Sequence, residues 1–248
     1  MREPPDSVRI TVVYDNHGYT PGLRTGWGLA VLVAAHGHVV LFDTGADGPT
    51  LLANMRALSI DPRVIDAVVL SHAHADHTGG LDGLLDTGVR PTVYLLASFP
   101  EDFKRHLRSR VRVVEVDASR NVLDGVSTTG DLDGAIPEQA LIVETAQGLV
   151  VITGCAHPGV ARMVARVRSR RTEPVHLVLG GFHLRDSGRQ QIQAVITEFG
   201  RLGVERVAPC HCTGDRAIEM FAAAYGADFI RAGVGLAIAI NALPDTPR

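Results

Sequence analysis

The sequence predicts an α/β protein in which mixed β-sheet is covered by helices on its outer faces, and three observations carry that prediction. Eleven short apolar, β-branched runs recur along the chain, each closed by glycine or a polar cluster. Stretches of helical periodicity lie between them, so that the first half is dense in strands and the second alternates strand with helix. At 248 residues the chain is long enough to bury a large core and short enough for one domain, expected to span 1–248 with 1–7 and 243–248 frayed.

In order, the predicted strands are 8–15 (VRITVVYD), 29–35 (LAVLVAA), 38–45 (HVVLFDTG), 67–72 (AVVLSH), 92–97 (TVYLLA) and 111–116 (VRVVEV). There follow 140–145 (ALIVET), 149–155 (LVVITGC), 175–181 (VHLVLGG), 205–211 (ERVAPCH) and 236–241 (LAIAIN). Helices are predicted at 48–58, 80–85, 101–108, 160–170, 188–202 and 215–225, where apolar residues return every three or four positions. No repeat, low-complexity tract or linker interrupts this order.

Composition narrows the function classes. A net charge of −3 with both signs scattered leaves no basic footprint for nucleic acid. Five arginines at 162, 166, 168, 170 and 171 read as a solvated helix face, with an anion-binding patch as the alternative. The N-terminus lacks a basic start followed by an apolar run, and no apolar stretch reaches the ~18–20 residues of a membrane span. The expectation is a cytoplasmic protein without a membrane partner, acting on a small molecule, its oligomeric state open. Three cysteines, an odd number, are expected as reduced thiols, with Cys210 and Cys212 pointing the same way from one strand.

The chemistry concentrates in 71-SHAHADHTGG-80. After a buried strand the residues turn too polar for a core, which places the run on a loop at the strand's C-terminal end. His72 and His74, two apart, project from the same side of an extended segment and can share one ion, while Asp76 and His77 face a second as the loop becomes a helix. Imidazole nitrogen and carboxylate oxygen at ~2.0–2.2 Å suit zinc, and two ions ~3.5–4 Å apart can activate water against an ester.

The run His-x-His-x-Asp-His is the signature of the metallo-β-lactamase superfamily, which this chain resembles over roughly residues 8–240. The resemblance implies a four-layer αββα sandwich, two mixed β-sheets flanked by helices, with two divalent ions at one edge: zinc first, manganese or iron as alternatives. HVVLFDTG resembles the family strand whose aspartate, here Asp43, orients a ligating imidazole. In GCAHPG, His157 is expected as third ligand of the His72/His74 ion, while Cys155 stands where many members carry a bridging aspartate. Whether Cys155 is a ligand or a small buried residue stays open. PCHCTG resembles the final motif, giving His211 to the Asp76/His77 ion. GGFHL brings His183 to the same edge as ligand, general acid or hydrogen-bond donor. Candidate substrate contacts are Asn16, Trp27, Phe182 and Thr213.

Taken in order, Asp15-Asn16, LFDTG, SHAHADHTGGL, GCAHPG, GGFHL and PCHCTG resemble the branch that includes the archaeal dihydropterin ribofuranosylaminobenzene phosphate synthase. Trp27-Gly28-Leu29 departs from that branch's entry segment. Three functions follow from the resemblance: a metal-dependent hydrolase with Asp76 and His183 as catalytic residues, acting on a phosphate-containing ester; a pterin-forming transferase that releases pyrophosphate; and a non-catalytic metal-bound sensor or interaction module.

Overall fold

The computed structural model describes residues 7–241; the expected fraying at 1–7 and 243–248 lies outside them, apart from residue 7, which opens the first strand. One sheet has seven strands: β1 (Ser7–Tyr14), β2 (Ala30–Ala35), β3 (His38–Phe42), β4 (Ala67–Val69), β5 (Thr92–Leu96), β6 (Val113–Val116) and β13 (Ala237–Asn241), in the order β13-β1-β2-β3-β4-β5-β6. The second has six: β7 (Ala118–Leu123), β8 (Val126–Gly130), β9 (Leu141–Thr145), β10 (Gly148–Thr153), β11 (Val175–Gly181) and β12 (Val204–Cys210), in the order β12-β11-β10-β9-β8-β7.

Both sheets are mixed, and the parallel part of each matters most for function. β3 to β6 run parallel in the first sheet and β10 to β12 in the second. Parallel neighbours present their C-terminal ends at one edge, where open α/β sheets carry their sites.

Three apolar layers account for the architecture. Between the sheets lies a shared core in which Val8, Ile10, Val12, Val31 and Phe42 of the first meet Leu141, Val143, Val150, Ile152 and Leu179 of the second. Outside the first sheet lie α1 (Gly48–Ala57), α2 (Ala75–Thr78), α3 (Leu81–Asp86) and α4 (Glu101–Arg108), whose Leu51, Met55, Leu84 and Leu107 cover Leu41, Val68 and Leu95. Outside the second lie α5 (Val160–Arg168), α6 (Arg189–Arg201) and α7 (Asp215–Tyr225), with Met163, Phe199 and Phe221 over Val151 and Val178. Strands buried on both faces read as continuous apolar runs, which is why β2, β3 and β10 were legible.

Two strands escaped sequence reading. β7 (ASRNVL) is an edge strand whose first four residues are exposed, and β8 (VSTTG) fills its buried positions with Ser and Thr, so neither shows an apolar run. The arginine segment is shorter than expected, since α5 stops at Arg168; Arg168 then reaches the Glu173 carbonyl and Arg171 pairs with Glu144 and Glu173, which leaves a largely tied-back surface. Among the described residues no helix is long and apolar enough to cross a membrane.

Candidate metal centre

The C-terminal ends of β3, β4, β10, β11 and β12 converge, carrying Asp43, the 71–77 run, Cys155 with His157, His183 and His211 respectively. Donor atoms gather into three groups in which all atoms lie within 4.8 Å of one another: His72, His74 and His157; Asp76, His77, Cys155 and His211; and Cys155, His183 and Cys212. Within these groups His72 Nε2 is 3.1 Å from His74 Nδ1, Cys155 Sγ is 3.2 Å from His77 Nε2 and 3.3 Å from His211 Nε2, and Asp76 Oδ2 is 3.6 and 3.4 Å from the same two nitrogens. Ligands bonded at ~2.0–2.3 Å in a tetrahedron stand about 3.3–3.8 Å apart, so these separations suit an ion.

The tautomers are fixed from behind. His77 Nδ1 donates to Asp43 Oδ2 at 2.7 Å and His157 Nδ1 to Glu138 Oε2 at 2.9 Å, because a carboxylate only accepts. Ser71 gives its hydroxyl proton to Asp43, so its oxygen accepts from His72 Nδ1 at 2.9 Å. His211 Nδ1 donates to Asn16 Oδ1 at 3.0 Å, while the Asn16 amide donates to the His211 carbonyl. Four imidazoles are thus anchored through Nδ1, each with its Nε2 turned toward the centre, the arrangement that holds metal-ligating histidines.

Charge leads to the same conclusion. Asp43 and Glu138 are fully buried and Asp76 is half-buried, yet the ion pairs of all three are with imidazoles. Burial and the neighbouring imidazole of His77 push His72 down to about 2, so it is neutral and cannot balance a carboxylate. Burial opposes the charge on His77, but Asp43 prevails and raises it to about 9, leaving a proton that an incoming cation displaces. Asp76 is held well below the carboxylate range: burial works against its charge, and His211 and His77 outweigh it. Three carboxylates, two of them fully buried, beside His72 held neutral and His77 held charged leave negative charge for a cation to balance, and the residues fit divalent metal.

The local backbone is strained to achieve this. Asp43, Ala156, His183 and His211 have φ of 58°, 62°, 53° and 50°, each an excursion of about 1–3 kcal/mol that persists only where surroundings dictate it. The turn at His211 also separates the two cysteines expected to point together: Cys210 enters the core between the sheets, whereas Cys212 faces the centre beside Cys155. All three thiols are free.

Glu138 is the residue sequence reading missed. Its Oε1 accepts from the backbone N–H of Cys155 and Ala156 at 2.9 and 2.8 Å, and its Oε2 from that of His157 at 2.9 Å. Burial opposes its ionisation, but His157 and these amides hold it down to about 2. The next residue, Gln139, bonds to the carbonyls of Leu70 and Ser71, so one loop fastens the ends of β4 and β10 together. No motif marks 138 in the sequence; only its contacts across the sheets do.

Of the four expected substrate contacts, two are corrected. The Phe182 ring is 1% exposed and packs edge-on against Phe199 and Phe221, and the Thr213 hydroxyl is consumed by the Phe182 N–H and the Cys210 carbonyl. Asn16 is committed to His211. Trp27 is 45% exposed, with its ring 5.0 Å from that of His211. His183 is exposed, its ring 4.5 Å from that of His157.

Close approach makes one position intolerant. A Cβ on Gly154 would sit 2.2 Å from Ser71 Oγ and 3.0 Å from Asp43 Oδ2. Gly154→Ala is expected to lower the melting temperature by several degrees in the metal-free protein, measured by calorimetry, because the Ser71–Asp43–His77 chain has to shift. An unchanged midpoint would show that the chain yields freely.

The family model described as the metallo-beta-lactamase superfamily matches residues 25–211. The chain is 29% identical, over 93% of its length and 96% of the relative's, to 7,8-dihydropterin-6-methyl-4-(beta-D-ribofuranosyl)-aminobenzene-5'-phosphate synthase of Methanocaldococcus jannaschii. It is 28% identical to Tm1679, described as a metal-dependent hydrolase of the beta-lactamase superfamily, with a TM-score of 0.80 over 94% of this chain and 99% of that one. A diphosphatase of the PhnP family shares the fold alone, at 16% identity and a TM-score of 0.64 over 95% and 98% of the two chains.

Proposed function

The chain belongs to the metallo-β-lactamase superfamily, and on that premise we propose that it is a metal-dependent hydrolase of a phosphate-containing small-molecule ester. The observation that carries this reading is the shared anchoring of His72, His77, His157 and His211, each held through Nδ1 with Nε2 turned toward the other donor atoms. His72, His74 and His157 would hold one divalent ion, and Asp76, His77, His211 and Cys155 a second, zinc being the ion best matched to nitrogen, oxygen and sulfur together. Bound there, the pair of ions supplies Lewis acidity, easing loss of a proton from water and offsetting negative charge at the reacting centre.

The chain's own groups do the rest. Asp76 orients the attacking water through its carboxylate, which stays ionised across the neutral range. His183 has its pKa raised by the Cys212 side chain against the pull of burial, so the exposed imidazole can carry a proton to the leaving oxygen. Asp43, Ser71, Glu138 and Asn16 hold the imidazoles in place.

Elemental analysis of protein purified without added metal tests the premise of this chemistry. About two divalent ions per chain are expected, lost in a His72→Ala/His77→Ala double variant. A wild-type chain that takes up no ion when supplied with zinc or manganese would defeat the reading.

Full-length similarity to the synthase favours a second reading, pterin-forming transfer at the same site. It requires pyrophosphate to appear only when an aminobenzene ribosyl phosphate and a dihydropterin diphosphate are supplied together. Hydrolysis of a single ester without the second substrate favours the first.

A further inference from the structure

A cavity of about 390 Å³ opens beside the metal centre, lined by Trp27, His183, Arg185, Ser187, Gln191 and Cys212, with Asp186 at its wall. Its connection to the chemistry is direct, since His183 and Cys212 share a donor group with Cys155, which also faces His77 and His211. The Arg185 guanidinium lies 5.0 Å from the Trp27 ring centroid, and the same indole approaches His211.

Arg185 has no carboxylate in hydrogen-bond or ion-pair contact among the described residues, in contrast to Arg63, Arg105, Arg110 and Arg171. An exposed arginine ordinarily samples many rotamers, but stacking on an indole restricts it and leaves the edge of its planar fork free for an oxyanion. The backbone behind it is fixed: Arg185 N–H bonds to the Cys212 carbonyl at 3.3 Å, and Gly214, at φ 79°, lacks the Cβ that would come within 2.6 Å of Arg185 Cα. Gln191 adds a second donor, because its Oε1 already accepts from Gly188 N–H and its amide nitrogen remains available. Ser187 adds a hydroxyl. A guanidinium, an amide and a hydroxyl lining one cavity beside the candidate metal centre supply the donors that a tetrahedral oxyanion needs.

We propose that this cavity binds the phosphate group of the substrate, with Arg185 as the residue that selects phosphorylated over unphosphorylated esters and Trp27 as the residue that positions it. The assignment deepens the proposed function, and rests on it for the identity of the neighbouring centre.

The experiment is calorimetric titration of the zinc-loaded protein with inorganic phosphate and with pyrophosphate, in wild type, Arg185→Gln, Arg185→Lys and Trp27→Leu. Pyrophosphate is expected to bind Arg185→Gln roughly tenfold or more weakly than wild type. Arg185→Lys should recover only part of that loss, since an ammonium lacks the fork, and Trp27→Leu should fall between. Zinc content and melting temperature are measured on each variant, so that a collapsed centre is recognised and the comparison is made only among variants that keep their metal. Equal affinity in wild type and Arg185→Gln overturns the inference and leaves hydrolysis untouched. Arginine-dependent binding by a protein that hydrolyses no ester upholds the inference while the hydrolase reading fails.

Discussion

Asp76→Ala is expected to lower turnover by roughly a hundred- to a thousandfold while changing the melting temperature little. The carboxylate sits in the first turn of the short α2, half-buried, and its Oδ2 faces His77 and His211 rather than the apolar core. Removing it therefore leaves the core intact, and the backbone carbonyl of residue 76, which accepts from Leu29 N–H, is kept. On the proposed function, what is lost is one anionic donor among four and the group that orients water. Metal at the Asp76/His77/Cys155/His211 position should weaken, and that at His72/His74/His157 should remain, so that metal content falls toward one ion per chain. Excess zinc should restore part of the activity if the loss lies in binding, and none if it lies in orientation. Full turnover in a variant with normal stability would show that Asp76 has no part in the chemistry.

The legible part of this molecule was the part written in local pattern. Strands buried on both faces, such as β3 and β10, announce themselves as unbroken apolar runs, and the His-x-His-x-Asp-His run sits where such a strand must end. Edge strand β7 and its partner β8 carry arginine, asparagine, serine and threonine, and their pairing is decided by the neighbouring sheet rather than by their own composition. Within the site, support that lies in a motif of its own is legible, as with Asp43 in LFDTG, and support that lies outside any motif, as with Glu138, is not. Glu138 lies in a loop 17 residues before Cys155, and nothing in GAIPEQAL distinguishes a carboxylate that will accept from four donors from one that will face water. Phe182 shows the converse error: standing next to His183 in a motif, it was given to the substrate, but successive residues leave the chain on opposite sides, and its ring belongs to the helix-covered core. Cys155 needed the fold to be placed at all, because a thiol after Thr-Gly can be core or ligand, and only the positions of His77 and His211 bring it to the centre.

Glu138→Gln is expected to destabilise the metal-free protein by about 3 kcal/mol and to weaken its hold on the first ion roughly 10- to 100-fold. The substitution preserves volume, so the effect is one of charge and hydrogen-bond polarity rather than packing. The carboxylate accepts from three successive backbone N–H groups and from His157 Nδ1, a small nest around an anion. Glutamine supplies one oxygen and one amide nitrogen. Whichever way it is turned, the nitrogen confronts either the Cys155 and Ala156 N–H groups or the N–H and Nδ1 of His157, and donors meet donors in a fully buried place. Relief requires the 155–157 segment to move, and Ala156, at φ 62°, is held in its left-handed conformation by those same bonds. Once His157 is released, its ring can rotate and its Nε2 no longer points at His72 and His74. The two effects separate by measurement: thermal unfolding of the metal-free variant reads the nest, with a fall of roughly 6–12 °C expected for a chain of this size, and chelator competition reads the ligand. An unchanged midpoint together with wild-type metal affinity would mean that the 155–157 turn holds itself, and that Glu138 is a passenger at the centre it touches.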